Sequence, residues 1–302
     1  MPQLFHVLAL RLHLEALRDF EDENPLAVWR GRFGNALRAA CCGGSPACPR
    51  GEDCIRGRLF DGHRTGPGPS GLGSPPRPYV FRCFHLHGAP IRAGGSFYID
   101  VHFFDVPSVE RHGALLRQVF SGTASGGDQR ARLLSTNSLD VHGAESPDWN
   151  AMVFDLAQPE PTTSGEITLD FVSPTELVEQ GRIVSGLPFP LLIRRLRDRV
   201  SVLRAIHGGG PLELDFKSFA NHADSVQILH HSLKFLQGER RSSRTGQTHP
   251  LRGWVGPVTY AGPWLGYLPW LLAGQWTGVG EQTVFGKGAF VVLGHANLLL
   301  GS

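Results

Sequence analysis

The sequence predicts an α+β fold built twice over, and three observations predict it. Strand-like and helical stretches follow one another as strand, helix, strands, helix, strand. That order restarts after QPEPTTSG (158–165). A glycine-rich stretch, GVGEQTVFGKGAFVV (278–292), then closes the second round. With 302 residues, 41% of them hydrophobic, the chain can bury a large core in one or two domains.

Residues 4–14 alternate as a strand, with His6, Leu8, Leu10, Leu12 and Leu14 on one face and Val7, Ala9, Arg11 and His13 on the other. The first face is expected to point to the core, His6 with it. The helical stretch ENPLAVWRGRFGNALRAAC follows, with Asn24 as its cap, Pro25 in its first turn and Gly43 past its end. Residues 43–78 are rich in Gly, Pro, Arg and Cys and read as a long loop. YVFRCFHL and SFYIDVHFFDV are strand-like, SVERHGALLRQVF is helical, and strands are expected near 130–141 and 150–156.

QPEPTTSG has the composition of a linker. Beyond it come the strand EITLDFV, the helix PFPLLIRRLRDRVSVLRAI, strands around 212–218 and 226–237, the strand GWVGPVTYAG, the helix WLGYLPWLLAGQW and the strand AFVVLG. Strand, helix, strands, helix, strand is the order of a ferredoxin-like (RRM-like) unit. The reading is two tandem ferredoxin-like domains, 1–160 and 165–302, the second carrying an arginine-rich helix and a C-terminal glycine-rich loop.

The most apolar run, WLGYLPWLLAG, is too short to cross a bilayer and contains a proline. The first residues have no basic stretch ahead of their apolar ones, unlike a signal peptide, so a cytoplasmic location is expected. The net charge of +2 conceals a skew, because only Lys217, Lys234 and Lys287 are lysines among 29 basic residues. Arginine's planar fork suits phosphate and base stacking, although a GC-rich genome would produce the same bias. Where the arginines cluster therefore matters more than their number.

Four of the five cysteines lie in CCGGSPACPRGEDC. Cys42, Cys48 and Cys54 are spaced C-x5-C-x5-C, a weak zinc pattern without a C-x-x-C pair. Reduced loop thiols are the alternative, and no cofactor is expected.

The glycine-rich stretch is not a nucleotide cradle. Five residues separate Gly280 from Gly286, Gly288 follows Lys287 where Ser or Thr is needed, and a strand follows instead of a helix. Thr283 occupies the third glycine of a dinucleotide fingerprint.

Between a short helix and a last strand, the stretch resembles the loop of the repeat-associated RNA-binding (RAMP) superfamily. More narrowly, the chain resembles the CRISPR-associated endoribonuclease that cuts precursor repeat RNA. LAVWRGRFGNALRAACC, CIRGRLFDG, PRPYVFRC with IRAGGSFYIDVHFF, LDFVSPTEL, RRSSRTGQTHPLRGWVGPVTYAG and GVGEQTVFGKGAFVV carry the likeness in order. It implies two ferredoxin-like domains, repeat RNA bound across them, and metal-free cleavage in which the 2′-hydroxyl attacks the adjacent phosphate. The products implied are a 2′,3′-cyclic phosphate and a 5′-hydroxyl, and the enzyme can stay on the crRNA stem-loop with other subunits of an effector complex. The alternative is a non-catalytic crRNA-binding subunit.

RNA contact is expected from Gly278, Gly280, Gly286 and Gly288, whose backbone can approach a phosphate, and from Lys287 as a point charge. A tight turn packing one domain on the other is the competing reading. Arg194, Arg195, Arg197 and Arg199 flank an apolar stripe of Leu192, Leu196, Val200 and Leu203 and are expected to follow an RNA stem. Arg240, Arg241 and Arg244 in GERRSSRTG form a further phosphate site.

Many relatives place a catalytic histidine near the first helix, but no histidine lies between His13 and His63 here. Gly278 stands where relatives often have another. The catalytic candidates are therefore Arg30, Arg38 and Arg241, cations for the transition state, with His13 as the alternative.

Overall fold

The computed structural model describes residues 2–45, 48, 50–61, 76–125, 127–160, 164–237, 239–241, 248–250 and 252–294. Strand β1 (Leu4–Ala16) leads into helix α1 (Pro25–Cys42), β2 (Tyr79–Arg82), β3 (Ser96–Phe103), α2 (Val106–Arg111), α3 (Gly113–Ser125), β4 (Ala131–Leu139), β5 (Glu145–Ser146) and β6 (Met152–Asp155). The chain continues with β7 (Gly165–Thr175), the small pair β8 (Val178–Glu179) and β9 (Arg182–Ile183), α4 (Phe189–His207) and α5 (Phe216–Ala223). Then come β10 (Gln227–His231), β11 (Lys234–Leu236), the pair β12 (Glu239–Arg241) and β13 (Thr248–Pro250), β14 (Gly253–Gly262), α6 (Leu268–Thr277) and β15 (Phe290–Leu293).

Two antiparallel sheets result. The first runs β2-β3-β1-β4-β5, with β6 also pairing with β1; the second runs β10-β14-β7-β15, with β11 on β14. In each, the strand that opens the half lies between two antiparallel partners: β1 between β3 and β4, and β7 between β14 and β15. The expected linker falls between β6, which ends at Asp155, and β7, which starts at Gly165; among the described residues 156–160 and 164 none is strand.

Helix α1 starts where Asn24 Oδ1 accepts the N–H of Ala27 at 3.1 Å, and Pro25 loses nothing by lacking an N–H in the first turn. It stops at Gly43, which takes φ 54° and returns its N–H to the Arg38 carbonyl. Between them Trp29, Phe33 and Leu37, four residues apart, form one buried face.

That face packs on Leu8, Leu10, Leu12 and Leu14 of β1, together with Leu116 and Phe120 of α3. The opposite face of the same sheet is also covered. Phe5, Val7, Ala9, Val80 and Phe104 join a second cluster with Leu192, Leu196, Val200 and Leu203 of α4, Trp270 and Trp276 of α6, and Phe171, Val258 and Phe290 of the second sheet. Helices α4 and α6 thus lie between the two sheets and bind the halves through one core. Burying a side chain of this size stabilises by roughly 1.5–3 kcal/mol.

Three expectations change. His6 is exposed, because at the start of β1 the buried face is that of Phe5 and Val7. Residues 212–215 are not strand and 216–223 form α5, capped by Asp215, which accepts the N–H groups of Lys217 and Ser218. The helical stretch 108–120 is two helices, α2 and α3. No helix among the described residues is long and apolar enough to cross a membrane.

Candidate nucleic-acid interface

The glycine-rich segment 278–288 is the turn that joins α6 to β15, and it is packed from both sides. A Cβ on Gly286 would collide with the Leu26 side chain of α1, and one on Gly280 with the Glu176 carbonyl. Both take positive φ, 83° and 81°, so the turn closes only with glycine there. Gly288 lies against the Val279 backbone, and a Cβ on Gly278 would stand 3.0 Å from an Arg82 guanidinium nitrogen. The Val279 N–H donates to the Gly288 carbonyl at 2.9 Å, and the Gly288 N–H to the Pro174 carbonyl at 3.1 Å.

Lys287 does not reach outward. It is buried, and its ammonium pairs with Glu176, which also accepts from Arg252 Nε at 2.9 Å. The expected point charge for RNA is spent on fixing the turn. These contacts fit the competing reading of the segment, a turn that packs one half on the other.

Arg30 does meet the turn from the other half. Its guanidinium lies 4.8 Å from the Phe285 ring centroid, 5.3 Å from that of Phe60 and 6.0 Å from that of Tyr79. Among the described residues it forms no ion pair with a carboxylate, and its Nε has no hydrogen-bond partner. A cation held by ring faces keeps its charge available to an anion. By contrast Arg32, two residues along and on another face of α1, is spent on Asp128 Oδ1 at 2.7 Å and on the Thr123 and Ala124 carbonyls. Arg38, also without a carboxylate partner among the described residues, donates to Asn35 Oδ1 at 3.1 Å.

Below Gly278, sequence reading missed a buried basic cluster. Arg82 of β2 is buried with no hydrogen-bond partner for its guanidinium nitrogens among the described residues. Arg199 of α4 donates Nε to the Thr277 carbonyl at 3.1 Å, and its Nη2 is unpartnered. Burial pushes the Arg82 pKa down to about 10. Burial, with the nearby Arg82 charge, takes Arg199 down to about 9. Both remain cations at neutral pH and leave the seam between the halves positive. His102 of β3 sits beside them, its Nδ1 donating to the Trp276 carbonyl at 2.9 Å. Burial first, then the Arg82 charge, pushes its pKa down to about 3, so it is neutral and no proton shuttle near pH 7.

The uncovered end of the same sheet carries a polar array. Arg11 binds Asp100 through both carboxylate oxygens, at 2.8 and 2.9 Å, and stacks over Tyr98 at 4.0 Å, while His85 stacks on Tyr98 at 4.1 Å. His13 Nε2 lies 2.6 Å from Glu145 Oε2, which also accepts from Asn137 at 2.7 Å. His13 is therefore oriented by a carboxylate, as a proton-transfer group would need to be.

The arginines of α4 are engaged with protein. Arg194 pairs with Glu179 at 3.0 Å and Arg195 donates to the Val178 carbonyl at 3.0 Å, both partly exposed. Arg197 pairs with Asp198 at 2.6 Å and is largely covered, and Arg199 points into the seam. The expected row of outward phosphate contacts reduces to Arg194 and Arg195. Arg240 and Arg241 fall in β12, opposite β13, and Arg244 lies outside the described residues.

The thiols of Cys42, Cys48 and Cys54 converge, every pair of sulfurs within 4.8 Å.

Residues 169–290 match the family model of the CRISPR-associated endoribonuclease Cas6, and residues 5–132 match a model described as an N-terminal domain. No curated protein matches the sequence. Among solved structures, a Cas6 product complex aligns with TM-score 0.57 at 18% identity, covering 97% of this chain and 100% of that one. Thermus thermophilus Cas6 aligns with TM-score 0.55 at 18% identity, covering 96% and 99%. A partial Cas6-RT-Cas1–Cas2 complex aligns with TM-score 0.55 at 16% identity, covering all of this chain and 49% of that one. At such identities the structures establish a Cas6-like fold, and residues 169–290 are similar to the CRISPR-associated Cas6 endoribonuclease family.

Proposed function

We propose that this protein is a metal-independent endoribonuclease that cuts CRISPR repeat RNA into crRNA. In this reading each half is a ferredoxin-like domain, supported by the repeated strand order of the two sheets. The RNA lies across the seam between them, in a cytoplasmic setting. The observation that carries the reading is Arg30, a cation without a carboxylate partner among the described residues, held where α1 of one half meets the glycine turn of the other.

The reaction is attack of a ribose 2′-hydroxyl on the adjacent phosphorus, with departure of the 5′-oxygen of the next nucleotide. A 2′,3′-cyclic phosphate and a 5′-hydroxyl result. Arg30 neutralises the charge that builds on the phosphorane, with Arg38 and Arg241 as further cations, and Arg82 and Arg199 raise the local potential from below. The packed turn fixes the position of Arg30, which preserves in-line geometry. His13, oriented by Glu145, is the available group for proton transfer if water does not suffice. Product retention on the crRNA stem-loop would draw on Arg194, Arg195, Arg240 and Arg244. Other CRISPR proteins are the further partners, since one structural relative is a Cas6-RT-Cas1–Cas2 complex.

The test is a synthetic hairpin of the genomic repeat, incubated with the protein in EDTA and analysed by mass spectrometry. Cleavage at one bond to a cyclic phosphate supports the enzyme. Tight binding without cleavage replaces it with the non-catalytic subunit.

A further inference from the structure

Four of the five cysteines gather where α1 ends. Cys41 and Cys42 close the helix, Cys48 follows, and Cys54 precedes the helical turn Gly57–Asp61. The sulfurs of Cys42, Cys48 and Cys54 lie within 4.8 Å of one another, those of Cys42 and Cys48 at 3.6 Å. With Zn–S bonds of about 2.3 Å, two sulfurs of a tetrahedral zinc site stand about 3.8 Å apart. The triangle thus has the size of one face of that tetrahedron, slightly opened. The Cys41 thiol stands outside this triangle but close enough to Cys54 to feel its charge, so a fourth sulfur is near.

Backbone donors lie around two of the sulfurs. The Cys48 sulfur accepts the backbone N–H of Arg50, and the Cys54 sulfur accepts those of Arg56 and Gly57. Donors aimed at sulfur stabilise its anion. A Cβ on Gly57 would collide with the Gly51 carbonyl, so glycine is needed for that N–H to approach. Arg50 adds a cation, donating to the Cys41 carbonyl at 2.8 Å and lying 3.5 Å from the Cys54 sulfur. The negative charge of a zinc–thiolate centre is thereby offset.

We propose that Cys42, Cys48 and Cys54 bind one zinc ion, with Cys41 as the fourth thiolate, and that the ion clasps residues 51–61 to the end of α1. The clasp has a consequence for the seam. Phe60 of the clasped turn packs on Gly34, where a Cβ would stand 2.9 Å from its ring, and forms part of the bed under Arg30. The zinc site stands independently of the RNA reading. A closed site of protein ligands is structural and takes no part in cleavage.

Full-length protein, produced with zinc in the medium and purified through a tag that binds no metal, is the material for the test. Plasma mass spectrometry after dialysis should find about one zinc per chain, the stoichiometry of a single closed site. Cobalt exchanged into the wild-type protein should give the absorption of tetrahedral cobalt–thiolate. Cys48→Ser with Cys54→Ser should abolish both signals, and the wild-type measurements decide even if that variant does not fold. Metal-free protein whose thiols all titrate, a Cys42–Cys48 disulfide in the mass spectrum, or iron in place of zinc would each overturn the assignment.

Discussion

The Arg30 guanidinium lies 4.8 Å from the ring centroid of Phe285, so the first helix of one half places a cation on the glycine turn of the other. Nothing else on α1 combines that position with the absence of an acidic partner among the described residues. Under the proposed function, Arg30→Ala should slow single-turnover cleavage by about a hundredfold or more, the usual cost of losing a preorganised cation. Binding of the hairpin should change much less. Arg30→Lys should recover only part of the rate, because an ammonium lacks the planar fork. Arg38→Ala should also slow the cut, and His13→Ala less than either. Cutting abolished by His13→Ala but normal in both arginine variants would transfer the role to His13 and Glu145.

Affinity for the hairpin should fall steeply with salt, because each phosphate neutralised releases counterions. Replacing Arg240, Arg241 and Arg244 together with alanine should flatten the slope of log affinity against log salt by about 2–3. A slope unchanged from wild type would remove these three arginines from the phosphate-binding surface.

Local patterns were the legible part of this protein. The cap at Asn24, the stop at Gly43 and the core stripe of α4 were all readable, because each depends on neighbours in sequence. What sequence could not carry is which partner a charge meets. Lys287 reads as an exposed cation until Glu176, 111 residues away, is brought against it. Arg199 reads as one more arginine on a helix, yet the packing of α4 against the first sheet buries it beside Arg82. His6 was misassigned because β1 is buried on both faces, so its alternation does not distinguish core from solvent.

Stability should fall with acid in two stages. His102 has its pKa pushed down to about 3, by burial first and then by Arg82, against about 6.5 in the unfolded chain. The unfolded state therefore binds a proton that the folded state refuses, and stability declines as pH falls from about 6.5 toward 3. Asp105 supplies the second stage. Burial opposes its ionisation, but His207, whose Nδ1 lies 3.5 Å away, and the hydrogen bond from Arg58 Nε at 2.7 Å outweigh it and hold the carboxyl well below its ordinary range. Its contribution is present above about pH 4 and lost as pH falls below that. Thermal melts across this range should show both slopes. His102→Gln should flatten the upper one and Asp105→Asn the lower one.

Lys287 and Glu176 separate a packing role from an RNA role. Removing one partner of a buried ion pair typically costs about 3–5 kcal/mol, because the other charge is left stranded. Lys287→Met should therefore destabilise strongly, although Arg252 still binds Glu176 from its outer side and softens the loss. Adding Glu176→Leu should restore much of the stability, since the second change removes the stranded charge and frees Arg252 to water. The double variant keeps the glycines and Arg30 and has lost only the ammonium that sequence reading assigned to RNA. If the pair serves packing alone, the double variant should bind the repeat hairpin with the wild-type salt slope. If Lys287 contacts phosphate in the complex, the slope should fall by about 1. Chemical denaturation supplies the stability order, and titrations of labelled hairpin at several salt concentrations supply the slope.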